Sequence, residues 1–147
     1  MRALVQRVSH ASVSVGGETV SQIGPGLLVL LGVTHADGER EADRLADKLL
    51  ALRIFADADG RMNEPLGPGR EVLCVSQFTL YGDTRKGTRP SWVAAAPGAV
   101  AEPLYERVCE RLGARRGIFG ADMQVASVND GPVTLMVEVE PPGGGAQ

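Results

Sequence analysis

Two short segments concentrate the groups that could do chemistry. Ser76-Gln77-Phe78-Thr79-Leu80 places a hydroxyl, an amide, an aromatic ring and a second hydroxyl at the end of an apolar run. Asn129-Asp130-Gly131-Pro132 places two polar side chains before a glycine, which permits close backbone approach, and a proline, which fixes the chain and admits a cis peptide. Each segment also has a bland reading. Phe78 and Thr79 are good strand formers, and Asn129 to Pro132 suits a tight turn between two strands.

Standard catalytic machinery is sparse around them. The histidines, His10 and His35, are far apart in sequence, whereas a zinc site wants three or four clustered ligands. A Ser-His-Asp triad would have to assemble from distant residues, and no Gly-x-Ser-x-Gly elbow is present. No glycine-rich phosphate loop opens a helix. Metal-, nucleotide- and triad-dependent mechanisms are therefore disfavoured, and no cofactor is expected. Cys74 and Cys109 lie in apolar patterns without CxxC spacing and read as small core residues in a reducing compartment.

The elements that must position these groups follow from periodicity. Residues 3–15 alternate in the manner of a half-buried strand, Gly16-Gly17 marks a hairpin, and Glu18 to Ile23 is the return strand. Leu27 to Val33 is almost wholly apolar, as expected of a strand covered on both faces. Ala42, Leu45, Ala46, Leu49 and Leu50 share one face of an amphipathic helix, with a cap expected near Asp37. Leu52 to Phe55 suggests a short strand before the Asp57-Ala58-Asp59-Gly60 turn. Glu71 to Leu80 reads as a strand and 81–98 as a loop. A second helix is expected from Gly98, with Pro103 in its first turn, an apolar stripe of Val100, Leu104, Val108 and Leu112, and Gly113 as its stop. Met123 to Val128 and Val133 to Val139 are expected as two final strands.

This order implies an α+β fold: a single domain, residues 1–140, of β-sheet layers with two amphipathic helices packed on them. Residues 141–147 form a Pro/Gly-rich tail expected to be disordered. The 147 residues carry 44% hydrophobic side chains but only 4% aromatics, so the core must be aliphatic. No apolar run approaches the length of a membrane span and no signal peptide opens the chain, so a cytoplasmic location and no membrane partner are expected. The net charge of −3 confines any nucleic-acid contact to a local patch.

Together, Val75 to Leu80 and Val128-Asn129-Asp130-Gly131-Pro132-Val133-Thr134 resemble the two signature motifs of the D-aminoacyl-tRNA deacylases. Flanking segments are similar at matching places: Gln6-Arg7-Val8, Gly26 to Gly32, Arg53-Ile54-Phe55, Gly87 to Ser91 and Ala121 to Val125. The resemblance covers residues 1 to about 139 of the sequence. The sequence departs from the family's pattern at Tyr81-Gly82, at Trp92 and in the tail.

The resemblance implies a homodimer with sites at the subunit interface, acting on the acceptor end of aminoacyl-tRNA. One subunit would supply Ser76, Gln77, Phe78 and Thr79, and the other would insert Gly131-Pro132, in the family a cis peptide, to select chirality. Backbone N–H groups at Phe78 and Thr79 would stabilise an oxyanion. Phe78 either stacks on the terminal adenine or fills the core. Thr79 is either a nucleophile or a positioning residue, and the absence of a base in its motif favours the second, with the ribose 2′-OH helping to activate water. Arg7 and Asn129 are the expected support for the Gly-Pro segment, a surface salt bridge being the other reading of Arg7. Arg85, Lys86 and Arg89 either touch phosphates or form a solvated basic loop. Two rival classes remain open: a non-catalytic RNA-binding module, and a hydrolase of free D-amino esters.

Overall fold

The computed structural model describes residues 1–143. Its centre is one bent sheet. Strand β1 (Arg2–Val15) turns at Gly16-Gly17, both with positive φ, into β2 (Glu18–Ile23), and β3 (Gly26–Gly32) follows. Helix α1 (Glu39–Ala51) leads to a small hairpin of β4 (Phe55–Ala56) and β5 (Met62–Glu64), then to β6 (Glu71–Ser76). A 3₁₀ turn (Phe78–Tyr81), helix α2 (Gly98–Leu112), β7 (Arg115–Arg116) and β8 (Gln124–Glu138) complete the chain. The main sheet runs β2-β1-β3-β6-β7, with β8 paired to β1. β1 is antiparallel to β2, β3 and β8, whereas β3 and β6 are parallel, their connection carrying α1.

The length of β1 explains the bend. Its first half pairs with β3 and buries Ala3 and Val5 in the core shared with both helices. Its second half pairs with β2 and buries Val8, Ala11 and Val13 in a second cluster with Ile23, Leu28, Leu73 and Val75. Leu27, Val29 and Leu31 face the helices while Leu28 faces the second cluster, so β3 is covered on both sides, as its apolar composition requires. Cys74 and Cys109 are free thiols buried in the helix-side core, where each other's proximity and burial push the Cys74 thiol up.

Several expectations are corrected. The α1 cap lies next to Asp37, as expected, but Asp37 itself is buried, accepting the Thr34 N–H at 2.8 Å and pairing with the Met1 ammonium at 3.0 Å. Gly38 is the cap, closed by Glu41, whose Oε2 accepts the Gly38 N–H at 2.8 Å. Leu52 to Ile54 are irregular, and the short strand starts only at Phe55. The Asp57 turn is an Asx turn, with Oδ1 accepting the N–H groups of Asp59 and Arg61. Pro103 is the sixth residue of α2, on an exposed face where water can take the Ala99 carbonyl that lacks its N–H partner. Val100 is exposed; Tyr105 and Cys109 join Leu104, Val108 and Leu112 in the core instead. Pro141 is buried, so the core reaches into the expected tail, and residues 144–147 of that tail lie outside the described residues.

Candidate active site

The apolar run from Glu71 does not continue to Leu80. β6 ends at Ser76, Gln77 still donates its N–H to the Leu31 carbonyl at 2.7 Å, and Phe78 to Tyr81 coil into the 3₁₀ turn. The first bond within the turn is Leu80 N–H to Gln77 O, 3.2 Å. The N–H groups of Phe78 and Thr79 precede it and are left free of the ladder, as the opening donors of any helical turn are.

Ser76, Gln77 and Phe78 line a cavity of about 370 Å³ together with Leu31, Val33 and Val75 and with Phe119, Ala121, Asp122 and Met123; Thr79 is not part of the lining. Phe78 is 54% exposed and therefore not a core phenylalanine. The Thr79 hydroxyl accepts a hydrogen bond from the Gln77 amide nitrogen. An amide cannot take a proton from a hydroxyl, so Thr79 has no base in this contact. Among the described residues no three or more His, Cys, Asp or Glu side chains gather as metal ligands would.

The second segment is not a turn between two strands. β8 is continuous from Gln124 to Glu138 and pairs with β1 on both sides of Gly131-Pro132. Val8 faces Asn129 and Gln6 faces Thr134, so two steps along β1 match five along β8, and residues 130–133 are expelled as a bulge. The Gly131–Pro132 peptide is cis, and Gly131 has φ +146°. A Cβ at Gly131 would lie 2.8 Å from Val133 Cγ2 and 3.1 Å from Arg7 Nη2, so only glycine fits.

Two residues secure the bulge. Asn129 accepts the Val133 N–H at 2.7 Å and donates to the Thr134 hydroxyl at 2.9 Å. Arg7 donates through Nε to the Asp130 carbonyl at 2.8 Å and through Nη1 to the Ile54 carbonyl at 2.7 Å, tying the bulge to the chain after α1. Its carboxylate contact, to Asp130 at 3.8 Å, is secondary. Arg7 is thus a brace made of carbonyl contacts rather than a surface salt bridge.

The structure brings the Ser-Gln-Phe segment to the cavity but does not bring Gly131 or Pro132 to its lining in the same chain. Arg85 is held by Asp83 in a bidentate pair, closest at 2.6 Å, which sets the Asp83 carboxyl at about 2 and offsets the arginine's charge. Lys86 and Arg89 remain exposed on the same loop. The sequence reading gave no role to Phe119 or to Ala121 to Met123, which also line the cavity. The signals for them were the family-like segment Ala121 to Val125 and the short apolar pair Ile118-Phe119 between Gly117 and Gly120.

The chain is 57% identical over 144 residues to the D-aminoacyl-tRNA deacylase of Myxococcus xanthus, covering 94% of each chain. It is 57% identical over 145 residues to that of Thermobifida fusca, covering 95% of this chain and all of the relative. A solved structure titled c-Myc DNA Unwinding Element Binding Protein superposes with a TM-score of 0.90 at 42% identity, over 95% of this chain and 99% of that one. The D-Tyr-tRNA(Tyr) deacylase family model matches residues 4–138, nearly all of the described fold, and the chain belongs to that family.

Proposed function

We propose that the protein hydrolyses the ester joining a D-amino acid to tRNA, releasing both, and spares the L isomer. Its relatives carry the activity in their name, and the observation that carries it here is the break at Ser76. It leaves the Phe78 and Thr79 N–H groups outside the ladder, Phe78 at the cavity wall and Thr79 next to it, as donors for an ester carbonyl. An aminoacyl ester is already activated towards water, so donors for the oxyanion and correct placement supply most of what is needed. Losing one such donor elsewhere costs roughly two to three orders of magnitude in rate. With an amide as its hydrogen-bond partner, Thr79 positions the substrate, and the ribose 2′-OH assists the attacking water. Phe78 stacks on the terminal adenine.

Selection falls to Gly131-Pro132 of a second copy. The bulge stands off β8, and β8 leaves Val125, Val128, Leu135 and Met136 each more than a third exposed, apolar surface that a homodimer would cover. With amino group and ester carbonyl fixed, the two enantiomers exchange hydrogen and side chain at Cα. A rigid backbone set against the D isomer's hydrogen collides with any L side chain. Glycyl-tRNA, with nothing to collide, is hydrolysed as well. Lys86 and Arg89 meet phosphates of the acceptor end, and the cytoplasm is where such a substrate is found.

The test is deacylation of D-tyrosyl-, glycyl- and L-tyrosyl-tRNA at equal enzyme. Cleavage of the first two with the third spared is expected. Protection of D-tyrosyl-tRNA without turnover would mean a binding module. Equal rates on a free D-tyrosine ester would mean a general esterase.

A further inference from the structure

Trp92 lies beside the site without a part in it so far. Its ring meets Phe78 edge to face, with centroids 5.4 Å apart and planes at 75°. It is 42% exposed, so two large aromatic rings stand half in water side by side. That arrangement leaves apolar surface uncovered unless something covers it.

The indole is held in place. A Cβ at Gly82 would lie 2.5 Å from Trp92 Cζ3, so the ring rests against backbone directly after the 3₁₀ turn. The loop bearing Trp92 is fastened on both sides. Asp83 and Ser91 exchange backbone hydrogen bonds of 2.8 Å, Thr34 Oγ1 donates to the Ala94 carbonyl at 2.6 Å, and His35 Nε2 donates to the Val93 carbonyl at 2.6 Å. A rigid ring loses little freedom when it binds.

We infer that Trp92 is a second nucleobase-stacking residue, taking the base before the terminal one. The inference rests on the proposed function, with Phe78 under the terminal base. Two planes at 75° cannot stack on a single base, but they suit two successive bases of a splayed single strand. Lys86 and Arg89, exposed on the same loop, offer cations to the phosphates of such a strand.

Trp92 is the one tryptophan of the chain, so its fluorescence reads the contact directly. In the wild-type protein, an uncharged RNA trinucleotide ending in adenosine should quench it saturably, and adenosine alone should do so much less. Catalysis gives a second readout: the ratio of kcat/KM for D-tyrosyl ester on that trinucleotide to D-tyrosyl ester on adenosine. Trp92→Leu should lower this ratio about tenfold, within the range of one aromatic–base stack, and Trp92→Phe should restore most of it. If Trp92 only braces Phe78, both substrates fall together and the ratio stays fixed, which overturns the inference. Absence of quenching by the trinucleotide also overturns it, and an indole shielded from acrylamide in the free protein would assign its face to a second copy. If the wild type fails to hydrolyse D-tyrosyl-tRNA as well as both short esters, the proposed activity fails, while the quenching arm still decides the stack.

Discussion

Asn129 grips Val133 at both ends of one residue, accepting its N–H through Oδ1 at 2.7 Å and donating through Nδ2 to its carbonyl at 3.2 Å. The four residues from 130 to 133 are thereby closed at the neck by one side chain. Gln6, opposite on β1, donates to the Thr134 hydroxyl at 3.2 Å and so joins the same network. Asn129→Ala removes these bonds at a partly exposed site, for a loss of about 1–2 kcal/mol in stability. The larger effect is expected in selectivity. Hydrolysis of L-tyrosyl-tRNA should become detectable in the folded variant, and unchanged discrimination would show that the bulge holds its shape without the neck.

Arg7 should not be replaceable by lysine. Its Nε and Nη1 reach two carbonyls in different directions, those of Asp130 and Ile54, and a single ammonium cannot reproduce that fork. Arg7→Lys is expected to lower kcat/KM on D-tyrosyl-tRNA by about tenfold or more while retaining the circular dichroism of the fold. Wild-type kinetics in the variant would reduce Arg7 to a surface charge.

Gly131→Ala should lower the rates on D-tyrosyl- and glycyl-tRNA alike. The added methyl would crowd Val133 and the Arg7 guanidinium, at a φ of +146° that L side chains rarely adopt. Strong D activity with no glycine activity in the wild type would point instead to recognition of the D side chain, and steric exclusion would have to be given up.

Thr79→Ala should keep substantial activity, because its hydroxyl is bonded to an amide that cannot act as a base. Replacing the terminal adenosine by its 2′-deoxy form should hurt far more. A dead Thr79→Ala enzyme acting normally on the deoxy substrate would establish a threonine nucleophile.

A shared site also requires a shared molecule. Sedimentation should find a dimer at assay concentrations, and Val128→Glu on the exposed face of β8 should weaken it together with activity. A fully active monomer would put the Gly-Pro bulge outside the reaction.

The loop carrying Trp92 has its own response to acid. Arg85 depresses the Asp83 carboxyl to about 2, below its ordinary value near 4, so the pair's contribution is complete above about pH 4 and fades as pH falls towards 2. Both partners are exposed, and the contribution is accordingly small. Amide exchange at Ser91, whose N–H is bonded to the Asp83 carbonyl, should quicken in Asp83→Asn at neutral pH. Identical exchange in the two proteins would show that the backbone pair holds without the ion pair.

Much of this arrangement was legible in the sequence. The Gly16-Gly17 hairpin, the doubly covered β3, the α1 face and the Gly113 stop follow from local pattern and are found in place. Ser76, Gln77 and Phe78 line the cavity, but the conformation of this segment was not readable, because Phe78 and Thr79 favour strands while the chain coils after Gln77, whose carbonyl takes the Leu80 N–H. The continuity of β8 was hidden for a similar reason. Asn-Asp-Gly-Pro has the composition of a turn, and only β1, pairing on both flanks, keeps the chain running in one direction. Asp37 looked like a cap because nothing in its neighbourhood announces the Met1 ammonium.

The bulge in β8 also constrains how this protein can change. Both flanks are registered on β1, and side chains along a strand alternate between faces. Deleting or adding one residue between Asn129 and Thr134 would leave two outcomes. Either the bulge changes its reach, or the segment from Thr134 to Glu138 slips by one and turns Val137 out of the core. The length of the bulge is thus locked by the sheet that flanks it.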